Sequence, residues 1–167
     1  MENVAGEVGR AIKPNLGAED FVTAALAQIT PTGELTVVNC GHHPPLLRHR
    51  GDLQPLTDGK AALPLGLEDD FTGFTATWSQ GDRTLLYTDG LVESRDAHGR
   101  FLPEDAIEAA LRASDCDQAL DTLMRAVDRH TGGHAHDDIA LLLLEHGGPP
   151  CSIANGYQAA VPAAAMP

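Results

Sequence analysis

Arg83-Thr84-Leu85-Leu86-Tyr87-Thr88-Asp89-Gly90 and Asp137-Asp138-Ile139-Ala140-Leu141-Leu142-Leu143-Leu144 are the two stretches on which the fold turns. Each is an apolar run of strand length with acid at one end: Asp89 just past the first, Asp137 and Asp138 just before the second. The second run is too short for a free-standing helix and follows the breaker Thr131-Gly132-Gly133, so it reads as a fully buried strand. Between the two, Pro103 opens a helical stretch to Ala113 with Ile107 and Leu111 four apart. Asp115 or Asp117 then caps a second helix from Gln118 to His130, with Leu120, Leu123, Met124 and Val127 as its buried stripe. Two helices of similar length form a hairpin that carries the chain down one layer and back. The second strand therefore runs antiparallel to the first and begins at the sheet edge where the first one ends. If the strands are neighbours, Asp89 and Asp137 converge there. Clustered carboxylates repel unless a cation or proton intervenes, and hard oxygen ligands suit Mg²⁺ or Mn²⁺. Acidic residues that only cap strands at a solvated edge are the alternative reading.

Upstream, Val4, Val8 and Ile12 recur every fourth position on one face of a short helix that ends before Pro14 and Gly17. Phe21 to Ile29 and Leu35 to Val38 flank Pro31-Thr32-Gly33 as a hairpin, and Pro45 to His49 and Leu53 to Leu56 flank the turn Arg50-Gly51-Asp52. That tripeptide matches an integrin-binding motif, but in an acidic chain with reduced thiols it reads as a plain turn. Phe71 to Trp78 alternates as a half-buried strand, and Gln80-Gly81-Asp82 turns the chain into Arg83. Phe74 and Trp78 read as core, and Cys40, inside an apolar strand, as a small buried residue. The domain is expected to end near residue 146. Residues 147–167, rich in Gly, Pro and Ala with almost no charge, are expected to form a disordered tail.

The 167 residues are 43% hydrophobic, 21% charged and 4% aromatic, the range of one ordinary soluble domain. The 24 Asp and Glu against 11 Lys and Arg give a net charge of −13, which would repel nucleic acid and an anionic membrane surface. Cys40, Cys116 and Cys151 are far apart and in no Cys-x-x-Cys spacing, which points to reduced thiols and a cytoplasmic chain. No apolar run has the length of a signal peptide core or of a membrane span, so neither secretion nor membrane insertion is expected.

Three blocks carry a family resemblance. Asn39-Cys40-Gly41-His42-His43-Pro44-Pro45-Leu46-Leu47, then Gly81-Asp82 leading into Leu85-Leu86-Tyr87-Thr88-Asp89-Gly90-Leu91-Val92-Glu93-Ser94-Arg95, then Asp137-Asp138-Ile139-Ala140-Leu141-Leu142, resemble the SpoIIE/RsbU-type phosphatases. These belong to the metal-dependent PPM class of serine/threonine protein phosphatases. The blocks stand in the family's order and with similar spacing, over about residues 8–145. The resemblance implies an α+β fold, an α-β-β-α sandwich of mainly antiparallel sheets with metal ions at one edge. It implies hydrolysis of phosphoserine or phosphothreonine by metal-activated water, with Mn²⁺ or Mg²⁺ as cofactor. Asp89 and Asp137 are then the metal ligands, with Gly90, Asp138, Gly41 and His42 in supporting positions. The implied partner is a phosphorylated regulatory protein, a STAS-type anti-sigma antagonist of bacterial partner switching.

One block of the family finds no match. The upstream Gly-Asp-x-x-Gly-His-Gly motif, whose Asp bridges two metals, is absent, and no Gly-Asp precedes residue 51. Residues 1–146 are therefore expected to form a partial SpoIIE-type phosphatase domain, incomplete at its N-terminal side, with uncovered sheet edges and apolar faces that favour a homodimer or aggregation. A non-catalytic phosphatase-like binding module, or an inactive fragment, is the competing expectation. His130, His134 and His136 beside Asp137 and Asp138 suggest a Zn²⁺ or Fe cluster by composition, but Gly132-Gly133 breaks the helix that would align them. His42, in a tight Gly-His-His-Pro-Pro segment, reads first as a turn residue bonded to backbone near the site.

Overall fold

A computed structural model describes residues 1–17, 19–60, 62–67, 70–134, 137–147 and 153–155. The helix α1 spans Glu2–Ile12, and the strands β1 to β6 are Ala24–Ile29, Glu34–Cys40, Leu46–His49, Asp52–Pro55, Gly73–Thr77 and Arg83–Tyr87. The short helix α2, Asp89–Val92, precedes α3, Glu104–Ala110, and α4, Cys116–Thr131; β7 and β8 are Ala140–Glu145 and Ile153–Asn155. Among the described residues the strands form two antiparallel sheets, ordered β1-β2-β5 and β4-β3-β6-β7-β8.

Alternation along the strands sorts the side chains into three apolar layers. From β2, Val38 and Cys40 join Ala5 of α1, Leu65 and Phe71 on the outer face of the first sheet. Leu35 and Val37, from the same strand, meet Leu47, Leu56 and Trp78 between the sheets. Leu85, Tyr87, Leu141 and Leu143 turn from the second sheet to Ile107, Leu111, Leu120, Leu123 and Val127 of the α3–α4 pair. The result is the expected α-β-β-α sandwich. In α4, the Asp115 carboxylate accepts the Gln118 N–H at 2.8 Å, so of the two candidate caps it is Asp115 that acts. The Arg50-Gly51 link holds both residues at positive φ, +53° and +102°, as a two-residue hairpin turn requires.

The buried face of α1 differs from its aliphatic stripe. Val4 and Val8 are exposed, whereas Ala5, Gly6 and Gly9 are buried. Small side chains let the helix lie close on the sheet, and Met1 and Ile12 fill its ends. Phe21, Val22, Leu63 and Leu67 are also exposed, as an uncovered apolar surface would have them. Ile153–Asn155 pairs with β7 inside the segment expected to be a disordered tail; the exposed hydrogen-bonding edge of β7 gives such a segment a place to bond. The rest of 148–167 lies outside the described residues.

At the start of β6 two polar staples close the second sheet. Arg83, 5% exposed, donates from Nε to Glu145 Oε2 at 2.7 Å and from Nη1 to the carbonyls of Leu111 (3.0 Å) and Ala113 (2.6 Å). A guanidinium at the end of α3 satisfies carbonyls that the helix leaves unbonded. The buried Asp82 carboxylate accepts the Ser79 N–H and His49 Nδ1–H, both at 2.7 Å.

Candidate metal centre

β6 and β7 are neighbours in the register Arg83↔Glu145, Leu85↔Leu143, Tyr87↔Leu141. Thr88 prolongs this ladder past the last residue of β6. Its N–H donates to Ala140 O at 3.1 Å, its hydroxyl accepts the Ala140 N–H at 2.9 Å, and the same hydroxyl donates to Asp138 O at 3.0 Å. One side chain thus clamps the end of β6 to the segment that enters β7. Asp89 follows at once as the first residue of α2, and Asp137 stands one residue before the clamped carbonyl, at the same sheet edge. Asp89 and Asp137 thus leave the same end of the β6–β7 ladder, as the helical hairpin leads one to expect. Asp138 enters through its backbone: its carbonyl holds Thr88.

Gly90 makes the close approach of α2 possible. A Cβ on it would lie 2.6 Å from Asp138 O. Ser94, buried, donates its hydroxyl to Gly90 O at 2.6 Å and fixes the turn from the other side. Asp89 Oδ1 accepts the Gly90 N–H at 3.0 Å, and Asp137 Oδ1 accepts the Asp138 N–H at 2.8 Å. Each exposed carboxylate is oriented through one oxygen, and the other oxygen has no hydrogen-bond partner among the described residues. Oriented, half-free carboxylates are donors that suit a hard divalent cation.

The Asn39–Pro44 segment forms the neighbouring wall. Asn39 accepts the His42 N–H (2.8 Å) and donates to His42 O (2.7 Å), closing a loop around Gly41, which sits at φ +68° with the Pro64 ring where a Cβ would be. His42 Nε2 lies 3.0 Å from Tyr87 O; a carbonyl only accepts, so this nitrogen carries the proton, and Nδ1 accepts from the Thr23 hydroxyl at 3.3 Å. With both ring nitrogens engaged, His42 ties Thr23, which precedes β1, and the Gly41 loop to the end of β6. The His43 ring stacks on Tyr87, 5.9 Å between centroids. Asp89 shares a cavity of about 200 Å³ with Thr23, Gly41, His42, His43 and Pro44, while Asp137 lines one of about 330 Å³ with Gly90, Glu93, Ser94 and Arg95.

Among the described residues the histidine cluster does not assemble. His130 Nε2 bonds Arg100 O and His134 Nδ1 bonds Gly132 O, both at 2.9 Å; His136 lies outside the described residues. Among the described residues no three His, Cys, Asp or Glu side chains gather into a metal cage. Cys40 is fully buried, and burial pushes its thiol up to about 11, so it is inert as a nucleophile. The sequence reading missed Thr88 as the clamp and Asn39 as the loop closure. A strand-end Thr reads as a stop, and the partners of its hydroxyl are fifty residues away.

Comparison with known proteins agrees with this architecture. The family described as Stage II sporulation protein E (SpoIIE) matches residues 1–147. Phosphoserine phosphatase RsbU of Bacillus subtilis (strain 168) is 24% identical over 147 residues, 84% of this chain and 44% of that protein. The chain therefore spans less than half the length of this curated relative. A crystal structure of RsbU and RsbW domains from Mycobacterium tuberculosis superposes with a TM-score of 0.68 at 25% identity, covering 86% of this chain and 41% of that one. The phosphatase domain of the cell fate determinant SpoIIE from Bacillus subtilis, presoaked with Mn, gives 0.63 at 16% identity, covering 90% and 69%. With the family match running over residues 1–147 and with a fold shared with PPM phosphatases, the chain belongs to the SpoIIE family.

Proposed function

We propose that this chain is a metal-dependent phosphatase domain for phosphoserine or phosphothreonine, with Asp89 and Asp137 as ligands of Mn²⁺ or Mg²⁺. The observation that carries the reading is the Thr88 clamp, which fixes two half-free carboxylates at one end of the β6–β7 ladder. When bound, the cation acidifies water and offsets charge on the phosphoryl oxygens. The chain's own residues bind and orient: Asp89 and Asp137 hold the ion, Thr88 and Gly90 set their separation, and Gly41, His42 and the Asp138 backbone keep the edge in place. The relative named a phosphoserine phosphatase supports a phosphorylated regulatory protein as substrate. A STAS-type anti-sigma antagonist, met in the cytoplasm in a bacterial partner-switching pathway, is the form we propose. No helix among the described residues is long and apolar enough to cross a membrane. Self-association through the exposed Phe21, Val22, Leu63 and Leu67 belongs to the same proposal, and a monodisperse monomer in light scattering would count against it.

A second reading, a phosphatase-like module that docks its partner without turnover, draws on one observation. The edge offers two carboxylates, and although Glu93 lines the Asp137 cavity, no three His, Cys, Asp or Glu side chains among the described residues gather as a metal cage. Hydrolysis of p-nitrophenyl phosphate by the purified chain decides between the two. Turnover that requires Mn²⁺ and disappears in Asp89→Asn supports the enzyme; folded protein that binds Mn²⁺ without turnover supports the module. Folded protein that binds no Mn²⁺ removes the metal centre from both.

A further inference from the structure

Arg95 is the basic residue lining the cavity that holds Asp137, Gly90, Glu93 and Ser94. Its guanidinium carbon lies 3.9 Å from the centroid of the Phe101 ring, and Nη1 donates to Gly99 O at 3.1 Å. Arg95 and Phe101 are both exposed; the stack and that single bond lay the guanidinium against the ring and leave its other N–H donors without a partner among the described residues. Glu93 and Asp137 line the same cavity, yet neither forms an ion pair with Arg95 among the described residues.

The segment that carries Arg95 is stapled. Arg95 and Phe101 bridge as an antiparallel pair, and between them Asp96 Oδ1 accepts the N–H groups of His98 (2.8 Å) and Arg100 (2.9 Å) while Oδ2 accepts Arg100 Nε (2.7 Å). Leu102 N–H donates to Ser94 O at 2.9 Å, and His130 Nε2 holds Arg100 O from α4 at the same distance. The hairpin backbone that carries the fork donor is held in place, so only the Arg95 side chain has to be ordered when it takes up an anion. The surroundings demand such a cation. Two carboxylates at the edge and a net charge of −13 repel a dianion, and a single metal position offsets only part of that.

Resting on the phosphatase reading above, we propose that Arg95 binds the phosphoryl group of the substrate phosphoprotein and holds it against the Asp89–Asp137 edge. Arg95 contributes two parallel N–H donors to two phosphoryl oxygens, and Phe101 supplies the platform that sets their direction. A lysine at this position keeps the charge and loses the fork.

Inorganic phosphate at pH 8 with Mg²⁺, followed by ¹H–¹⁵N NMR of the full chain, tests this. Saturable shifts are expected at Gly90, Ser94 and Arg95. Arg95→Gln is expected to weaken phosphate about tenfold or more, and Arg95→Lys by an intermediate factor, with the remaining spectrum unchanged. Wild-type protein without saturable shifts at those residues, or Arg95→Gln binding phosphate as tightly as wild type, overturns the proposal. A Mg²⁺ titration without phosphate separates it from the metal centre. Arg95→Gln should bind Mg²⁺ like wild type and Asp89→Asn should not. If Asp89→Asn keeps its Mg²⁺ affinity the metal reading falls, and a phosphate loss confined to Arg95→Gln still upholds Arg95.

Discussion

Replacing Gly90 by alanine tests whether the approach of α2 to the β7 entrance sets the metal centre. The new Cβ would lie 2.6 Å from Asp138 O, 3.1 Å from its carbonyl carbon and 3.2 Å from Ile139 Cγ1, where ordinary contact begins near 3.4 Å. The nearest atoms are backbone and cannot swing aside, so the segments must part by roughly 3.4 − 2.6 = 0.8 Å. Added to the 3.0 Å from the Thr88 hydroxyl to Asp138 O, this takes that bond to about 3.8 Å, beyond hydrogen-bonding range. Overpacking costs about 1–3 kcal/mol and the lost bond about 1 kcal/mol, offset by up to ~1 kcal/mol of helix propensity. The net is a destabilisation of about 1–3 kcal/mol. A shift of that size exceeds the ~0.2 Å that ligand distances tolerate, so Mn²⁺ affinity falls by about 10–100-fold. Urea unfolding followed by circular dichroism reads the first quantity and a calorimetric Mn²⁺ titration the second. Gly81→Ala is the control: at φ +83° with nothing within 4 Å of its Cβ, it strains only the backbone, at about 1–2 kcal/mol, and leaves Mn²⁺ affinity alone. Gly90→Ala protein with wild-type stability and wild-type Mn²⁺ affinity would refute the reasoning.

Four further outcomes are expected. Arg83→Ala strands Glu145 and two helix-end carbonyls and costs about 3–5 kcal/mol in urea unfolding, whereas Arg83→Met combined with Glu145→Leu loses far less. Asn39→Ala removes both bonds that close the Gly41 loop and costs about 1–3 kcal/mol, with an accompanying loss of Mn²⁺ affinity if the loop orients His42. The Asp96 carboxyl is held far below the usual range by the Arg100 N–H and then its guanidinium, and Asp115 is lowered by the Gln118 N–H. Lowered folded values stabilise above the unfolded value near 4 and are lost as pH falls through the folded ones, so Tm drops on acidification below about pH 4, and less steeply in Asp96→Asn. With its thiol pushed up to about 11, Cys40 is about one-thousandth ionised at pH 8, so its alkylation, read by mass spectrometry, tracks unfolding and accelerates in urea.

The pairing of β6 with β7 was legible because a helical hairpin admits one strand direction, and the direction alone brings Asp89 and Asp137 to one edge. The two helices are not of similar length as expected, α3 having 7 residues and α4 16, and the loops around α3 make up the return path. Thr88 was not legible in that way. Its hydroxyl bonds Asp138 O and Ala140 N–H, 50 and 52 residues on, and nothing in a Thr-Asp-Gly triplet announces partners so distant. The face of α1 misleads for a different reason. Val4 and Val8 mark the aliphatic stripe, but burial there is decided by how near the helix axis comes to the sheet, and Ala5, Gly6 and Gly9 allow the nearer approach. The crowded Gly-His-His-Pro-Pro run suggested that the His42 ring would meet backbone, and one of its nitrogens does so at Tyr87 O while the other meets the Thr23 hydroxyl. Arg95 stood in plain view in the third position after Val92, yet its significance depends on Phe101, brought beneath it by a bridge that composition does not show.

The uniform Leu141–Leu144 run raises the question of what sets its register. In most half-buried strands alternation does so, since a slip of one residue sends apolar groups to the wrong face. Here a slip replaces leucine by leucine, and the apolar layers on either side of β7 resist it weakly. The restraints lie at the two ends of the ladder. Arg83 grips Glu145 at one, and Thr88, just past β6, grips Ala140 and Asp138 at the other, five residues apart or about 17 Å. A slip would break both and carry Asp137 about 3.3 Å along the edge relative to Asp89, more than a shared cation tolerates. The buried ion pair at the far end of the sheet is thus part of the geometry of the metal centre. The Arg83→Met and Glu145→Leu pair, though well packed, should therefore fold with weakened Mn²⁺ binding, and unchanged affinity in that variant would leave Thr88 as the sole keeper of the register.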